Sequence, residues 1–291
     1  MSPPHEIPPW FDSFQRLPVR VVEVDSHRLA YLDKGQGHPV ILIHGLGGSM
    51  WQWEYQQLSL SAAHRVVTLD LVGSGLSDKP AIAYTPTELV TIFGKFMDVL
   101  GIKRATLVGN SLGAGLALGF ALTHPERVER LVLIGGFPPR IRDNLTSPLV
   151  QQAVDTEMPA WLVAVGNWLS GRGPTIRILE EIVHDHSLLT PAVIERAYQN
   201  RQRPGAIPPL LALFRSLPYW ESGFAKRIGE VKQPTLILWG KEDRIFPPSV
   251  GQALSATIAG ARLEVIPDSG HLPQWERPEM VNPLLLDFLR P

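Results

Sequence analysis

The chain of 291 residues contains no cysteine, which excludes disulfide staples, thiol nucleophiles and thiolate metal sites together. It also lacks a charge of one sign, since 27 Lys and Arg stand against 28 Asp and Glu for a net of −1. Such a balance leaves no electrostatic footprint for nucleic acid or an anionic membrane, and a small neutral or apolar partner is expected instead. Long apolar runs are missing as well. Stretches such as Pro39 to Ile43 and Pro234 to Trp239 are strand-sized, far below the ~20 residues that span a bilayer, so no membrane span is expected. The Pro-rich start from Met1 to Trp10 has neither the basic opening nor the apolar stretch of a secretory signal. A cytoplasmic protein is therefore expected, with Met1 to Pro9 as its one tail.

What is present is a chain long enough to bury a large core. Eight strands are predicted: Val19 to Val24, Arg28 to Leu32, Val40 to His44, Arg65 to Leu69, Ala105 to Gly109, Arg130 to Ile134, Thr235 to Trp239 and Arg262 to Ile266. The later six are nearly continuous apolar runs, as suits strands buried on both faces of a parallel sheet. The first two alternate and adjoin the turn Lys34-Gly35-Gln36-Gly37, which predicts an antiparallel edge. Helices are predicted over Thr87 to Leu100, Leu112 to Thr123, Ser249 to Ile258 and Pro278 to Leu289. Alternation of strand and helix gives an α/β fold with a mostly parallel sheet flanked by helices. Between Phe137 and Val231 the alternation stops, and short amphipathic helices replace it. The expected organisation is a core of residues 1–136 and 231–291 with a helical cap inserted at 137–230.

The most informative segment is Leu107-Val108-Gly109-Asn110-Ser111-Leu112-Gly113-Ala114-Gly115. An apolar strand enters a Gly-x-Ser-x-Gly turn and a helix leaves it, so the Ser111 hydroxyl projects beside unpaired amides at the helix start. A serine needs a base to take its proton and a third group to orient that base. His271, in the loop Asp268-Ser269-Gly270-His271 after the last strand, is the expected base. Asp243, after the strand ending at Trp239, is the expected carboxylate, with Glu242 and Asp268 as rivals. Loops at the carboxyl ends of parallel strands gather in one crevice, which lets these three meet. The turn His44-Gly45-Leu46-Gly47-Gly48 offers main-chain donors for an oxyanion. Leu46 and Leu112 are the expected amides, with Gly47 as a substitute for Leu46. His44 is expected to brace that loop, and Asp70 to hold a turn.

Five motifs in this order resemble the α/β-hydrolase fold: His44-Gly45, Asp70 to Asp78, Gly109 to Gly113, Gly240 to Asp243 and Gly270-His271. The resemblance covers nearly the whole chain and implies an eight-stranded sheet with an inserted cap. Serine at position 111 implies acyl transfer to water with no metal or organic cofactor, since related dehalogenases and epoxide hydrolases carry aspartate there. The expected activity is hydrolysis of small to medium apolar carboxylic esters by a monomer or homodimer. Carbon–carbon hydrolysis of aromatic ring-fission products is the alternative, beside cofactor-free perhydrolysis or a small-molecule receptor role. Asn110-Ser111-Leu112-Gly113 and the stretch from Leu189-Thr190-Pro191 to Arg203-Pro204-Gly205 resemble the carbon–carbon hydrolases. Against them stand Leu272 where those enzymes carry tryptophan, and Ala197 where they carry a carboxylate-binding arginine, with Arg196 one position early. The expected apolar substrate pocket comprises Gly45, Phe137, Trp161, Trp168, Phe214, Trp220 and Leu272.

Overall fold

The computed structural model describes Phe14 and residues 16–290; the expected tail Met1 to Pro9 lies outside them. Eight strands form one sheet: β1 (Arg20–Val24), β2 (His27–Lys34), β3 (Pro39–Ile43), β4 (Arg65–Leu69), β5 (Ala105–Asn110), β6 (Val128–Ile134), β7 (Thr235–Gly240) and β8 (Arg262–Ile266). Their order across the sheet is β1-β2-β4-β3-β5-β6-β7-β8. β2 runs antiparallel to both of its neighbours, and every pairing from β4 onward is parallel. The antiparallel edge predicted from the alternating first strands is present.

Successive residues of a strand face opposite sides of the sheet, and in β3 both sides are covered. Ile41 and Ile43 pack in a cluster with Leu107, Phe93, Phe96 and Phe120. Val40 and Leu42 join a second cluster with Val108, Leu60, Val281 and Leu285 on the other face. β8 departs from the expected burial on both faces, because it is the far edge with one neighbour. Its Arg262 lies in solvent and pairs with Glu264 and Asp287 at 3.5 and 3.6 Å.

Helices α1 (Glu54–Leu60), α2 (Pro86–Val99) and α3 (Leu112–Thr123) follow β3, β4 and β5. α2 starts where Thr85 accepts a hydrogen bond from the Glu88 amide, with Pro86 at the first turn, a position where its missing N–H costs nothing. Between β6 and β7 the described residues contribute no strand. The chain instead runs through α4 (Ile141–Asn144), α5 (Pro148–Val154), α6 (Ala160–Leu169), α7 (Gly173–Ile182), α8 (Pro191–Arg201) and α9 (Ile207–Ser222). The core resumes with α10 (Pro248–Thr257), α11 (Pro273–Glu276) and α12 (Pro278–Phe288). Sequence periodicity missed α1 and α11, which are only seven and four residues long. Among the described residues no helix is long and apolar enough to cross a membrane.

Candidate active site

At the end of β5 the backbone turns sharply enough to hold Ser111 at φ 52° and ψ −115°, a region that a residue with a side chain enters only when its surroundings force it. The force is close packing. A Cβ on Gly109 would lie 2.2 Å from the Gly113 carbonyl oxygen, and one on Gly113 would lie 2.1 Å from that of Ile43. The Ser111 amide donates to Ile134 O at 2.9 Å, while its carbonyl accepts from Gly115 N at 3.1 Å and opens α3. Its hydroxyl makes no side-chain cap.

His271 stands in the loop after β8, and its Nδ1 lies 2.8 Å from Asp243 Oδ2. The second carboxylate oxygen, Oδ1, accepts from the amides of Ile245 and Phe246 at 2.8 and 3.1 Å. An ionised carboxylate only accepts hydrogen bonds, so Nδ1 carries the imidazole proton and Nε2 presents a lone pair. Both rival carboxylates are placed elsewhere. Glu242 accepts from the Ser269 amide at 3.1 Å, and Asp268 occupies the loop with φ 53°. Gly135, at φ 51°, leaves the imidazole its space, since a Cβ there would sit 3.1 Å from Nδ1.

Residues that sequence reading missed hold this loop. Glu276, the buried last residue of α11, accepts from Gly270 N at 2.8 Å with one oxygen and from His184 N at 2.7 Å with the other. Burial pushes its carboxyl above the ordinary value. Asn110 donates to His271 O at 3.1 Å and to Ile134 O at 3.2 Å. The His271 amide donates to Ile182 O at 2.8 Å, which ties the loop to the end of α7. No sequence period marks such contacts, and those of Glu276 with His184 and of Asn110 with His271 join segments far apart in the chain.

The loop after β3 is braced from within. His44 is buried, its Nε2 accepts from Leu71 N at 3.0 Å, and Nδ1 therefore carries the proton given to Gly45 O at 2.7 Å. Burial lowers its pKa. Asp70 accepts from the amides of Met50 and Leu76, both at 2.7 Å. The Gly45 and Gly48 amides are engaged with Gln52 Oε1 and Gly45 O, each at 3.1 Å. The Leu46 and Leu112 amides have no acceptor among the described residues.

Ser111, His271, Leu46 and Leu112 all line one cavity of about 400 Å³. Of the expected pocket residues, Gly45, Phe137, Phe214 and Leu272 line it too, together with Gly47. The three tryptophans do not. Trp161 and Trp168 are 68% and 72% exposed on α6, because that helix turns its most apolar stripe outward. Trp220 is buried behind the wall, with its ring centroid 5.2 Å from that of Phe137 and its indole N–H donated to Pro138 O at 3.0 Å. It belongs to the packing of the helices between β6 and β7.

Charge in the wall is sparse. Arg201 is the one Lys, Arg, Asp or Glu side chain among the lining residues. Its Nη2 donates to Gly171 O at 2.9 Å, and it forms no ion pair with a described residue. Burial lowers its pKa. Arg196 turns away from the cavity. Its guanidinium meets the buried Glu54 carboxylate through two bonds of 2.8 and 3.1 Å, lies 4.8 Å over the Trp51 ring, and shares Glu54 with the Trp275 indole at 2.8 Å.

A family model described as the alpha/beta hydrolase fold matches residues 38–278. This chain belongs to the α/β-hydrolases. A 2-hydroxy-6-oxononadienedioate/2-hydroxy-6-oxononatrienedioate hydrolase of Comamonas testosteroni is 32% identical over 274 residues, which cover 91% of this hydrolase and 92% of that one. A 2-hydroxy-6-oxo-6-phenylhexa-2,4-dienoate hydrolase of Burkholderia cepacia is 31% identical over 277 residues, with 91% and 92% covered. Among solved structures, the meta-cleavage product hydrolase CumD of Pseudomonas fluorescens IP01 superposes with a TM-score of 0.80 at 30% identity, covering 94% of this chain and 97% of that one.

Proposed function

We propose that this α/β-hydrolase cleaves a carbon–carbon bond beside a ketone in dienoates of the ring-fission type, with Ser111, His271 and Asp243 as its catalytic triad. The observation that carries the proposal is Arg201. The carboxylate-binding arginine expected near Ala197 or Arg196 is absent from both places, since Arg196 is spent on Glu54. Arg201 follows Ala197 by four residues on α8, and both line the cavity. One helical turn is ~5.4 Å, within the reach of an arginine side chain, so Arg201 serves the same carboxylate from one turn further along. A guanidinium with no acidic partner, in an otherwise apolar wall, fits a substrate with one carboxylate and an apolar remainder. The Burkholderia cepacia relative is named for a dienoate of that kind, with a phenyl end, whereas the Comamonas testosteroni relative is named for dienedioate and trienedioate substrates, which carry a second carboxylate. On this reading the helices within 137–230 act as a cap over a core formed by 1–136 and 231–291.

His271 Nε2 takes the Ser111 proton as Oγ adds to the ketone carbon, and Leu46 and Leu112 amides receive the oxyanion. No hydrogen bond joins Ser111 to His271 in the structure, so the proton transfer requires that contact to tighten when substrate is seated. Collapse of the adduct breaks the carbon–carbon bond. For this the 2-hydroxydienoate reacts as its 2-oxo tautomer, the 2-hydroxyl proton having moved to C5. The electron pair of the broken bond is thus delocalised through the C3–C4 double bond into the 2-oxo group, and the resulting dienolate takes the proton from His271. A water deprotonated by the same imidazole attacks the acyl-enzyme, releasing the acid and restoring Ser111. Asp243 stabilises the imidazolium formed in both halves.

The test sets turnover of 2-hydroxy-6-oxo-6-phenylhexa-2,4-dienoate beside p-nitrophenyl esters of graded length. Ser111→Ala loses about 10³-fold or more in kcat on every substrate turned over. Arg201→Met raises KM for the dienoate by roughly 10- to 100-fold and leaves neutral esters unaffected, as loss of a charge-assisted bond requires. Faster turnover of esters than of any dienoate overturns the carbon–carbon reading. Ester hydrolysis is the second reading, favoured by Leu272, an apolar wall residue directly after the imidazole.

A further inference from the structure

Helix α6 presents a face that no described residue covers. Met158, Trp161, Leu162, Val165, Trp168 and Leu169 are between 42% and 72% exposed, and no residue of α6 is buried. From residue 158 to 171 the chain has no Asp, Glu, Lys or Arg. Positions 161, 165 and 168 recur at helical spacing, so these side chains share one stripe. Together the six leave roughly 700 Å² open to solvent, more than the ~300–600 Å² of the largest apolar patch on a typical monomer. The same area approaches the ~800 Å² that each partner buries in an interface of standard size.

We infer that α6 is a dimerisation helix whose partner is α6 of a second copy of this chain, packed antiparallel across a two-fold axis. Trp161 and Trp168 are seven residues apart, about 10 Å along the axis, with Val165 close to their midpoint. A two-fold axis there sets each Trp161 against the Trp168 of the other copy, so one stripe satisfies both halves of the contact. Two indoles per copy at the centre of such an interface are the residues that carry most of its free energy. Charge favours a second copy over a lipid surface. Asp155 and Arg172, which flank the helix in the chain, are held in ion pairs with Arg142 and Glu195, both at 2.6 Å. The one flanking charge left over is Glu157, which an anionic bilayer repels.

Analytical ultracentrifugation across micromolar concentrations tests this on the full chain. The wild type sediments as a dimer, and Trp161→Glu/Trp168→Glu weakens dimerisation by about 100-fold or more with unchanged far-ultraviolet circular dichroism. The absence of native cysteine permits a second measurement. Val165→Cys, incubated with oxidised glutathione, gives a disulfide-linked dimer on a non-reducing gel, and Glu23→Cys on β1 does not. A monomeric wild type overturns the inference, as does a dimer that survives the double substitution or links only through Glu23→Cys. A monomer that sediments with phosphatidylcholine vesicles overturns it in favour of a lipid surface.

Discussion

Helices α3 and α6 are both free of charged residues, yet ten of the twelve residues of α3 are buried and none of the ten in α6. Their difference lies in position. α3 leaves the central strand β5 and is covered by the sheet and by α2. α6 lies between β6 and β7 in the chain and packs on α9, with Trp161, Val165 and Trp168 facing away. An apolar composition thus states that a helix needs a partner without saying which one. For α3 the topology supplies it; for α6 we assign it to a second copy.

The largest contrast is expected from truncating an aromatic side chain on each helix. Phe120 on α3 is fully buried and meets Phe93 edge-on at 5.0 Å. Phe120→Ala is expected to cost ~3–5 kcal/mol in chemical denaturation. Trp168→Ala, measured dilute enough to keep the chain monomeric, stays within about 0.5 kcal/mol. A similar loss at both sites breaks the comparison.

Two glycines sharpen it. A Cβ on Gly115 of α3 would lie 2.9 Å from Cδ1 and 3.0 Å from Cγ of Phe137, near the root of that side chain. Gly115→Ala is expected to destabilise by ~1–3 kcal/mol through overpacking, and to change KM because Phe137 lines the cavity. Around Gly166 of α6 no atom of a described residue lies within 4 Å of such a Cβ. Gly166→Ala therefore raises stability by ~0.5–1 kcal/mol through helix propensity alone. Thermal melts of both variants read the opposite signs.

The smallest effect is a response to pH. The start of α3 packs on the end of β3, where a Cβ on Gly113 would lie 2.7 Å from His44 O. His44 has a pKa below its ordinary value of 6.5 because it is buried. As pH falls below about 6.5, the unfolded chain takes up a proton that the folded chain refuses, so stability declines on acidification. His44→Asn flattens this part of the Tm profile. α6 has no ionisable side chain and contributes no such slope.

The same contrast explains what could be read without coordinates. The strand–turn–helix geometry at Ser111 was legible because its requirement is local: two glycines beside Ser111, a strand before and a helix after. The antiparallel edge was legible because β1 and β2 alternate with a period of two. The placement of tryptophans was not. Trp161, Trp168 and Trp220 all suit an apolar pocket by composition, and a helical residue turns ~100° from its neighbour, so facing is decided by what the whole helix packs against. Arg196 and Arg201 differ in the same way. Only the contact with Glu54, 142 positions away, shows which of them is already paired.

By itself the amino-acid sequence determined the layered α/β architecture and the chain order of serine, carboxylate and histidine, because periodicity and turn chemistry act over a few residues. Tertiary structure alone decided that Glu276 and Asn110 hold the histidine loop, that Arg201 faces the cavity, and that α6 faces outward. Each of these depends on tertiary contacts, whose geometry is set by how helices pack over the sheet and not by any pattern within the helices themselves.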